Sequence, residues 1–252
     1  MNIQSEPSLL SVDRLTIDLP LSGGVLHPVR GVSFTVRRGE ALALVGESGC
    51  GKSLTAMALM RLLPEDAQVP SGTVTLEGRE LLSLTEKEME RVRGAGIAVI
   101  FQEMIRTHST CGRTEARARA VEWLRRVGIP RPEEAYDAYP HELSGGLKQR
   151  AMIAMALSAD PKVVVADEPT TALDVTVARQ VLELLNDLKR ERGLTLIFIT
   201  HDLALLPGIA DRVALMYAGE IVEMAPTEAF LAHPEHPYAQ ALLGALPRPD
   251  GA

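Results

Sequence analysis

The most constraining feature of this sequence is a glycine-rich octapeptide that stands between an apolar run and a stretch of helical character. The run, Ala41–Val45, is continuously apolar, as a strand covered on both faces requires. Residues 52–63 have a helical pattern that stops near Pro64. The octapeptide consists of Gly46, Glu47, Ser48, Gly49, Cys50, Gly51, Lys52 and Ser53. A buried strand, a glycine loop and a helix in this order predict an α/β fold.

The octapeptide satisfies the P-loop pattern in the structural context that this pattern demands. Its glycines let consecutive backbone N–H groups wrap a polyphosphate, and the N-terminus of the following helix adds its positive end. We expect Lys52 to reach the β and γ phosphates of ATP and the Ser53 hydroxyl to ligate Mg²⁺. The alternative is a plain glycine turn.

A second apolar run, residues 163–166, ends in two adjacent carboxylates, Asp167 and Glu168. A P-loop needs a carboxylate on a neighbouring strand to hold its metal, and Asp167 is predicted to supply it. Alternation along a strand sends adjacent side chains different ways, so Glu168 is free to polarise an attacking water as general base. A solvated loop or a helix cap is the alternative for this pair.

The remaining pattern alternates strands with helices, which predicts a mostly parallel sheet. Residues 9–36 indicate strands joined by a turn at Gly23 and Gly24, before the octapeptide. Beyond it, strands are expected at residues 96–101, 163–166 and 196–199. Helices are expected at residues 113–127, 144–158 and Val175–Arg192, with the single tryptophan, Trp123, in the core.

Composition excludes several classes of protein. The 252 residues carry 26 Lys and Arg against 33 Asp and Glu, a net charge of -7, which is the wrong sign for a nucleic-acid partner. Two cysteines do not make a disulfide framework, so a reducing compartment is expected. No segment has the ~18 consecutive apolar residues of a membrane span, and the N-terminus lacks a signal-peptide pattern. Membrane association is therefore expected only through partners.

Several further motifs carry a family resemblance. Residues 143–150 resemble the LSGGQ signature of ABC ATPases, with Leu147 where that family usually has Gln. Residues 167–174 are similar to its Walker B motif and D-loop, residues 200–202 to its switch histidine, and Gln102 to its Q-loop. The motifs occur in the family's order over most of the chain. The resemblance implies a RecA-like, mostly parallel core with an N-terminal antiparallel β subdomain and a helical subdomain that carries the signature.

The resemblance also implies how the site is shared between two subunits. Each ATP lies between one subunit's P-loop and the other subunit's signature, so a second ABC ATPase subunit, identical or paralogous, completes the site. His201 is implied as an electrostatic clamp on the γ-phosphate, and Gln102 as a contact to Mg²⁺ and the attacking water. The opening of a helix at the signature independently predicts an anion site there. The implied signature and D-loop contacts are Ser144, Gly145, Gly146 and Asp174.

Less specific sequence matches indicate which subfamily of ABC ATPases the chain resembles. Glu47 and residues 139–142, 211–219 and 236–238 are similar to ATPase subunits of dipeptide, oligopeptide and nickel importers. This similarity implies two transmembrane permease subunits and, indirectly, an extracytoplasmic solute-binding protein. It places the chain peripherally on the cytoplasmic face of the inner membrane. Generic variation within ABC ATPases is the alternative explanation of these matches.

The expected organisation is a single ABC ATPase domain over residues 1–252. Residues 1–102 hold the β subdomain and the first part of the core, and residues 103–160 a shortened helical subdomain. Residues 161–225 complete the core, and residues 226–252 form a short C-terminal extension. Leu19 stands where the family has an adenine-stacking aromatic, which predicts reduced ATP affinity unless another residue substitutes.

Two alternatives to an importer subunit remain open at this point. One is a soluble ABC ATPase that works in DNA repair or translation, although neither a coiled-coil insertion nor a tandem cassette is present in these residues. The other is an altered cassette that binds nucleotide with impaired coupling, because the segment after Gln102 is short for importers of this group.

Overall fold

The fold of the chain is given by a computed structural model that describes residues 7–101, 113–171 and 173–245. The strands are β1 Leu10–Leu21, β2 Gly24–Val36, β3 Ala41–Val45, β4 Gln68–Leu76, β5 Arg79–Glu80, β6 Ile97–Phe101, β7 Val163–Asp167, β8 Thr195–Thr200, β9 Arg212–Tyr217 and β10 Glu220–Pro226. The helices are α1 Lys52–Leu59, α2 Glu86–Val92, α3 Arg113–Arg126, α4 Pro132–Asp137, α5 Gly145–Ser158, α6 Val175–Arg192, α7 Thr227–Ala232 and α8 Pro237–Gly244.

The core is a six-stranded sheet in the order β10-β9-β3-β8-β7-β6, parallel except for the edge strand β10. Every residue of β3, β7 and β8 is buried, because elements cover both faces of the sheet. Leu42 and Leu44 belong to one apolar cluster, whereas Ala41, Ala43 and Val45 belong to the other. The continuous apolar runs of the sequence thus correspond to strands buried on two sides.

A second, antiparallel sheet has the order β2-β1-β4-β5 and holds the N-terminal strands. Its β1 and β2 form the hairpin expected around Gly23 and Gly24, with Leu19 paired to Leu26 close to the tip. The buried face of this sheet and the helix α1 share one apolar cluster with the core sheet. The expected combination of a mostly parallel core with an N-terminal antiparallel sheet is confirmed.

The helices α3, α4 and α5 pack together beside the core. Trp123 of α3 is buried, as expected, and the guanidinium carbon of Arg192 lies 4.6 Å from its ring centroid. Helix α5 also packs on β6 and α6. This group supplies the expected helical region, while the subdomain boundaries at residues 102, 160 and 225 stay a prediction.

The helix after the octapeptide is shorter than the sequence pattern suggests, ending at Leu59 rather than near residue 63. Arg61 adopts a left-handed conformation with φ 51°, and the Leu62 N–H donates to the Met57 carbonyl at 2.9 Å. The Arg61 N–H donates to the Ala58 carbonyl at 3.1 Å, which completes a Schellman motif. Backbone capping therefore ends α1 one turn before Pro64. Within the described ranges, no helix is both long and apolar enough to cross a bilayer.

Candidate functional site

Three loops converge at one edge of the core sheet because the parallel strands end there in register. Val45 of β3 is level with Thr200 of β8, and Ile199 of β8 is level with Asp167 of β7. Gly46 follows β3, Glu168 follows β7 and His201 follows β8, so these predicted site residues lie together at this edge. Phe101 of β6 is level with Asp167, but Gln102, the residue that follows it, lies outside the described residues.

The octapeptide forms a tight loop around the amine of Lys52. Lys52 is 5% exposed, and its Nζ donates to the carbonyl oxygens of Gly46 and Glu47, both at 2.8 Å. Gly46 has φ 149°, and a Cβ built there would lie 2.3 Å from the Met216 carbonyl oxygen. Only glycine fits that position, because the backbone of β9 packs directly against the loop.

Gly51 is the second glycine of this loop that no other residue can replace without strain. Its φ is 104°, and a Cβ would lie 2.3 Å from the Pro28 carbonyl oxygen of β2. We expect Gly51→Ala to lower the free energy of unfolding by about 1–3 kcal/mol, measured by chemical denaturation. Gly208→Ala is the matched control, since Gly208 has φ 84° with nothing within 4 Å of its Cβ position. Equal losses in the two variants would contradict a steric role for the contact with β2.

The N-terminus of α1 leaves its backbone N–H groups open to a ligand. Gly51 is the N-cap and gives no side-chain cap, and the first turn contains no acidic residue. Glu47, Ser48, Gly49 and Ser53 are exposed around it, although Gly46 and Lys52 are buried. Uncapped N–H groups at a helix N-terminus, next to a lysine, bind anions such as phosphates.

Asp167 and Ser53 fit the divalent cation that the P-loop pattern implies. Asp167 is 6% exposed, and its Oδ1 is buried without a hydrogen-bond partner in the described part of the chain. Burial raises the pKa of Asp167, and the neighbouring Ser53 hydroxyl and Lys52 amine counteract that rise. A buried oxygen without a partner beside a hydroxyl matches the oxygen ligands that Mg²⁺ prefers.

Glu168 lies outside the strand and has a strained backbone with φ 51°. One carboxylate oxygen accepts a hydrogen bond from the Thr171 hydroxyl at 2.6 Å, and the other lies 2.8 Å from Nδ1 of His201. Burial acts to raise the pKa of Glu168, but these two contacts outweigh it and lower the pKa. Glu168 is therefore ionised at neutral pH and oriented by two neighbours, as a general base requires.

The C-terminal helix α8 contributes to this site, which the sequence analysis did not foresee. Leu242 of α8 lines a cavity of about 250 Å³ together with Gly46, Glu47, Ser48, His201 and Leu203. The Tyr238 ring of the same helix lies on the Tyr217 ring, with centroids 4.4 Å apart. The His-Pro-Tyr triplet at residues 236–238 was the available signal, but it does not indicate that α8 lies beside the P-loop.

The signature residues lie on a different pair of helices. The Ser144 hydroxyl caps α5 by accepting from the Leu147 N–H at 3.4 Å. The partly buried Leu147 packs against the core. The Cβ position of Gly146 lies 2.6 Å from Val177 of α6, so this glycine allows the two helices to approach closely. Asp174 caps α6 by accepting from the Val177 N–H at 3.0 Å.

Gly145 has more space than Gly146, because its nearest neighbour, Leu173, lies at 3.6 Å from the Cβ position. The first turn of α5 contains no acidic residue and faces outward through the exposed Ser144 and Gly145. The described residues thus place the P-loop on the core sheet and the predicted signature at the N-terminus of α5.

Comparison with protein families and known proteins agrees with this geometry. Residues 29–171 match the family described as ABC transporter, and residues 222–252 match the C-terminal region of oligopeptide/dipeptide transporters. The first match spans more than half of the chain and includes the P-loop, Asp167 and Glu168. The chain belongs to the ABC transporter family of ATP-binding proteins.

Three relatives indicate which branch of the family the chain resembles. The oligopeptide transport ATP-binding protein OppD of Bacillus subtilis (strain 168) is 46% identical, over 95% of this chain and 72% of the relative. The dipeptide transport ATP-binding proteins DppD of Bacillus subtilis (strain 168) and of Escherichia coli (strain K12) are 43% and 41% identical. They cover 96% and 95% of this chain, and 78% and 79% of the relatives. This chain is similar to peptide-transport ATP-binding proteins in particular.

Solved structures support the fold. The ATP-binding cassette MJ0796, in a dimeric post-hydrolysis state with ADP and Pi, has a TM-score of 0.76 and 24% identity over 86% of this chain and 98% of that one. The cbiO1 cassette from Clostridium perfringens, part of the complex cbiONQ, has a TM-score of 0.75 and 27% identity. That match covers 90% of this chain and 92% of the other. The expected ABC ATPase fold is confirmed.

Proposed function

We propose that this chain is the ATP-binding and ATP-hydrolysing subunit that energises an ABC importer of dipeptides or oligopeptides. The observation that carries the proposal is one cluster, in which Lys52, Asp167, Glu168 and His201 meet at one edge of the sheet. Family membership and the 41–46% identity to peptide-transport ATP-binding proteins support the substrate class. Nickel is the alternative cargo among the importers that the sequence resembles.

In this proposal, the residues of the cluster have distinct roles. The uncapped N-terminus of α1 and Lys52 hold the phosphates of ATP, and Ser53, Asp167 and Gln102 hold Mg²⁺, which neutralises charge on the phosphates when bound. Glu168 accepts a proton from the attacking water through the carboxylate that Thr171 and His201 orient. Positioning and electrostatics supply most of the rate enhancement.

A second ABC ATPase subunit completes each site in this proposal. The signature residues Ser144, Gly145 and Gly146 lie at an exposed helix N-terminus, which suits an anion presented by another molecule. The dimeric cassette structures with the same fold support the arrangement. Asp174, the proposed D-loop contact, caps α6, whose Val177 packs against Gly146 of the signature helix.

The proposed setting follows from the resemblance of the sequence to ATPase subunits of peptide importers. Two transmembrane permease subunits bind the dimer of cassettes, an extracytoplasmic solute-binding protein delivers the peptide, and the chain lies peripherally on the cytoplasmic face of the membrane. Nucleic acid is not an expected partner, since the net charge is -7.

The experiment that tests the function is reconstitution of the chain with permease subunits of a peptide importer from the same organism. Phosphate release is measured in proteoliposomes with and without the solute-binding protein and a mixture of di- to hexapeptides. We expect peptide to stimulate ATP hydrolysis at least about threefold, because a peptide that binds the transporter is then coupled to the ATPase site. A rate of ATP hydrolysis that is the same with and without the permeases would favour a cassette with impaired coupling. Co-purification with ribosomes or DNA would favour a soluble ABC ATPase that does not act in transport.

A further inference from the structure

The C-terminal helix α8 is anchored to β10, the edge strand of the core sheet. The Glu223 carboxylate of β10 accepts hydrogen bonds from the backbone N–H groups of Glu235 and His236, at 3.0 and 2.8 Å. Glu223 is 9% exposed, and charge-assisted bonds to a carboxylate with so little access to water are strong. Nδ1 of His236 accepts from the Tyr238 N–H at 3.1 Å and caps the helix. The position of α8 is therefore fixed where the helix begins.

One face of α8 packs on the core. Ala239 is fully buried, and Leu242 and Leu243 follow three and four residues later, so the three side chains share this face. Leu242 and Leu243 are both partly buried, and both pack against the same apolar cluster. They differ in one respect, because only Leu242 is among the described residues that line the cavity beside the P-loop.

His201 lines the same cavity and also contacts Glu168. Its Nδ1 lies 2.8 Å from the Glu168 carboxylate, and this is the one hydrogen bond of the imidazole to the described residues. The side chain of His201 is 53% exposed, and the cavity of about 250 Å³ gives the ring room to turn. An exposed ring held by one hydrogen bond can change rotamer. The apolar walls of the cavity, Leu203 and Leu242, are what restricts that space.

We infer that Leu242 is a positioning residue of the ATPase site. Its side chain, held in place by the anchored α8, limits the space around His201 and so keeps the imidazole on the Glu168 carboxylate. The inference rests on the proposed ATP-hydrolysing function, in which Glu168 accepts a proton from the attacking water. It makes the C-terminal helix a part of the ATPase site.

The test uses Leu242→Ala in the full chain, in proteoliposomes with the permease subunits. We expect kcat for ATP hydrolysis, measured as phosphate release at saturating ATP and Mg²⁺, to fall about 3- to 10-fold, because a displaced imidazole orients Glu168 less well. The Kd for ATP, measured by displacement of a fluorescent ATP analogue, is expected to stay within about twofold of wild type. In the proposed function, α1 and Lys52 hold the phosphates, and this substitution leaves both unchanged.

Two further variants separate positioning from packing. Leu243→Ala is the matched control, because it removes the same side chain from the same helix and the same apolar cluster. Its kcat is expected to equal the wild-type value, while the midpoint of thermal unfolding without nucleotide is expected to fall by similar amounts in both alanine variants. Leu242→Met keeps the volume of the cavity wall and is expected to retain at least about half of the wild-type kcat.

Glu223→Gln tests whether the anchor of α8 acts through the same wall. Glutamine offers one oxygen acceptor where the carboxylate offers two, so one of the two backbone N–H groups loses its bond. We expect kcat to fall about two- to fivefold, and the double variant with Leu242→Ala to stay within about twofold of Leu242→Ala alone. Glu220→Gln, at an exposed position of the same strand, is expected to match wild type.

The inference is overturned by a wild-type kcat in Leu242→Ala, by an equal fall in Leu243→Ala, or by a Kd for ATP that rises as much as kcat falls. It is also overturned if Leu242→Met is as slow as Leu242→Ala, or if the two losses multiply in the double variant. All of these results leave ATP hydrolysis by the wild-type chain intact. Failure of the wild-type chain to hydrolyse ATP would instead overturn the proposed function itself.

Discussion

Replacement of Glu168 by glutamine is expected to lower kcat for ATP hydrolysis at least about 100-fold, with the Kd for ATP within about threefold of wild type. Glutamine has the shape of glutamate and keeps an oxygen that can accept from the Thr171 hydroxyl, which lies 2.6 Å from the carboxylate. Its amide cannot take a proton from water. The lowered pKa of Glu168 means that the wild-type base is already ionised at neutral pH, so the substitution removes the working form.

The measurement pairs phosphate release at saturating ATP and Mg²⁺ with equilibrium binding of ATP. Glu183→Gln is the matched control, because Glu183 is exposed on α6 and pairs only with Arg179 among its described ion-pair contacts. Undiminished phosphate release from Glu168→Gln would remove Glu168 from the role of general base. A loss of ATP binding as large as the loss of kcat would point to a structural role for the contacts with Thr171 and His201.

The core strands were predictable because burial on both faces of the sheet requires a continuous run of apolar residues. Ala41–Val45 and Val163–Asp167 are apolar throughout apart from Asp167. The predicted site residue Gly46 follows the first strand, and the predicted site residue Asp167 ends the second. Gln68–Leu76 forms a strand that the sequence pattern does not indicate. That strand is half-exposed and contains Pro70 and Gly72, which suppress the alternation that identifies strands.

The candidate site was predictable only in the parts that local sequence determines. Asp167 and Glu168 do have different environments, but the reason is partly a left-handed turn at Glu168 rather than strand alternation alone. Ser144 and Asp174 cap helices in the structure, as their residue types favour, and that observation leaves their roles toward ATP as proposals.

The contribution of α8 depended on tertiary packing and had no local signal. His236 and Pro237 mark the start of a helix, since His236 caps it and Pro237 occupies its first turn. Neither residue indicates what the helix packs against. β10 leads the chain away from the P-loop edge of the sheet, and α8 returns to it, where Leu242 lines a cavity with Gly46 and Glu47.

Replacement of Lys52 by methionine is expected to raise the Kd for ATP at least about 100-fold, since hydrogen bonds to charged groups contribute about 1.5–3 kcal/mol each. Methionine keeps the apolar stem in its buried position and removes the amine. The variant also loses the two bonds to the Gly46 and Glu47 carbonyls, each 2.8 Å long. The loop is therefore expected to lose both its internal hydrogen bonds from Lys52 and the positive charge of the Lys52 amine.

The two consequences separate experimentally because only one of them needs nucleotide. The midpoint of thermal unfolding without ATP measures the loss of the Lys52 hydrogen bonds within the loop. The increase in that midpoint on adding ATP and Mg²⁺ measures phosphate binding. In Lys52→Met we expect the unfolding midpoint without ATP to fall modestly and the ATP-dependent increase in the midpoint to be lost completely. Lys87→Met, at an exposed position of α2, is expected to match wild type in both. An ATP-dependent increase of wild-type size in Lys52→Met would exclude Lys52 as the phosphate-binding lysine, because the charge that the loop surrounds would then have no part in binding.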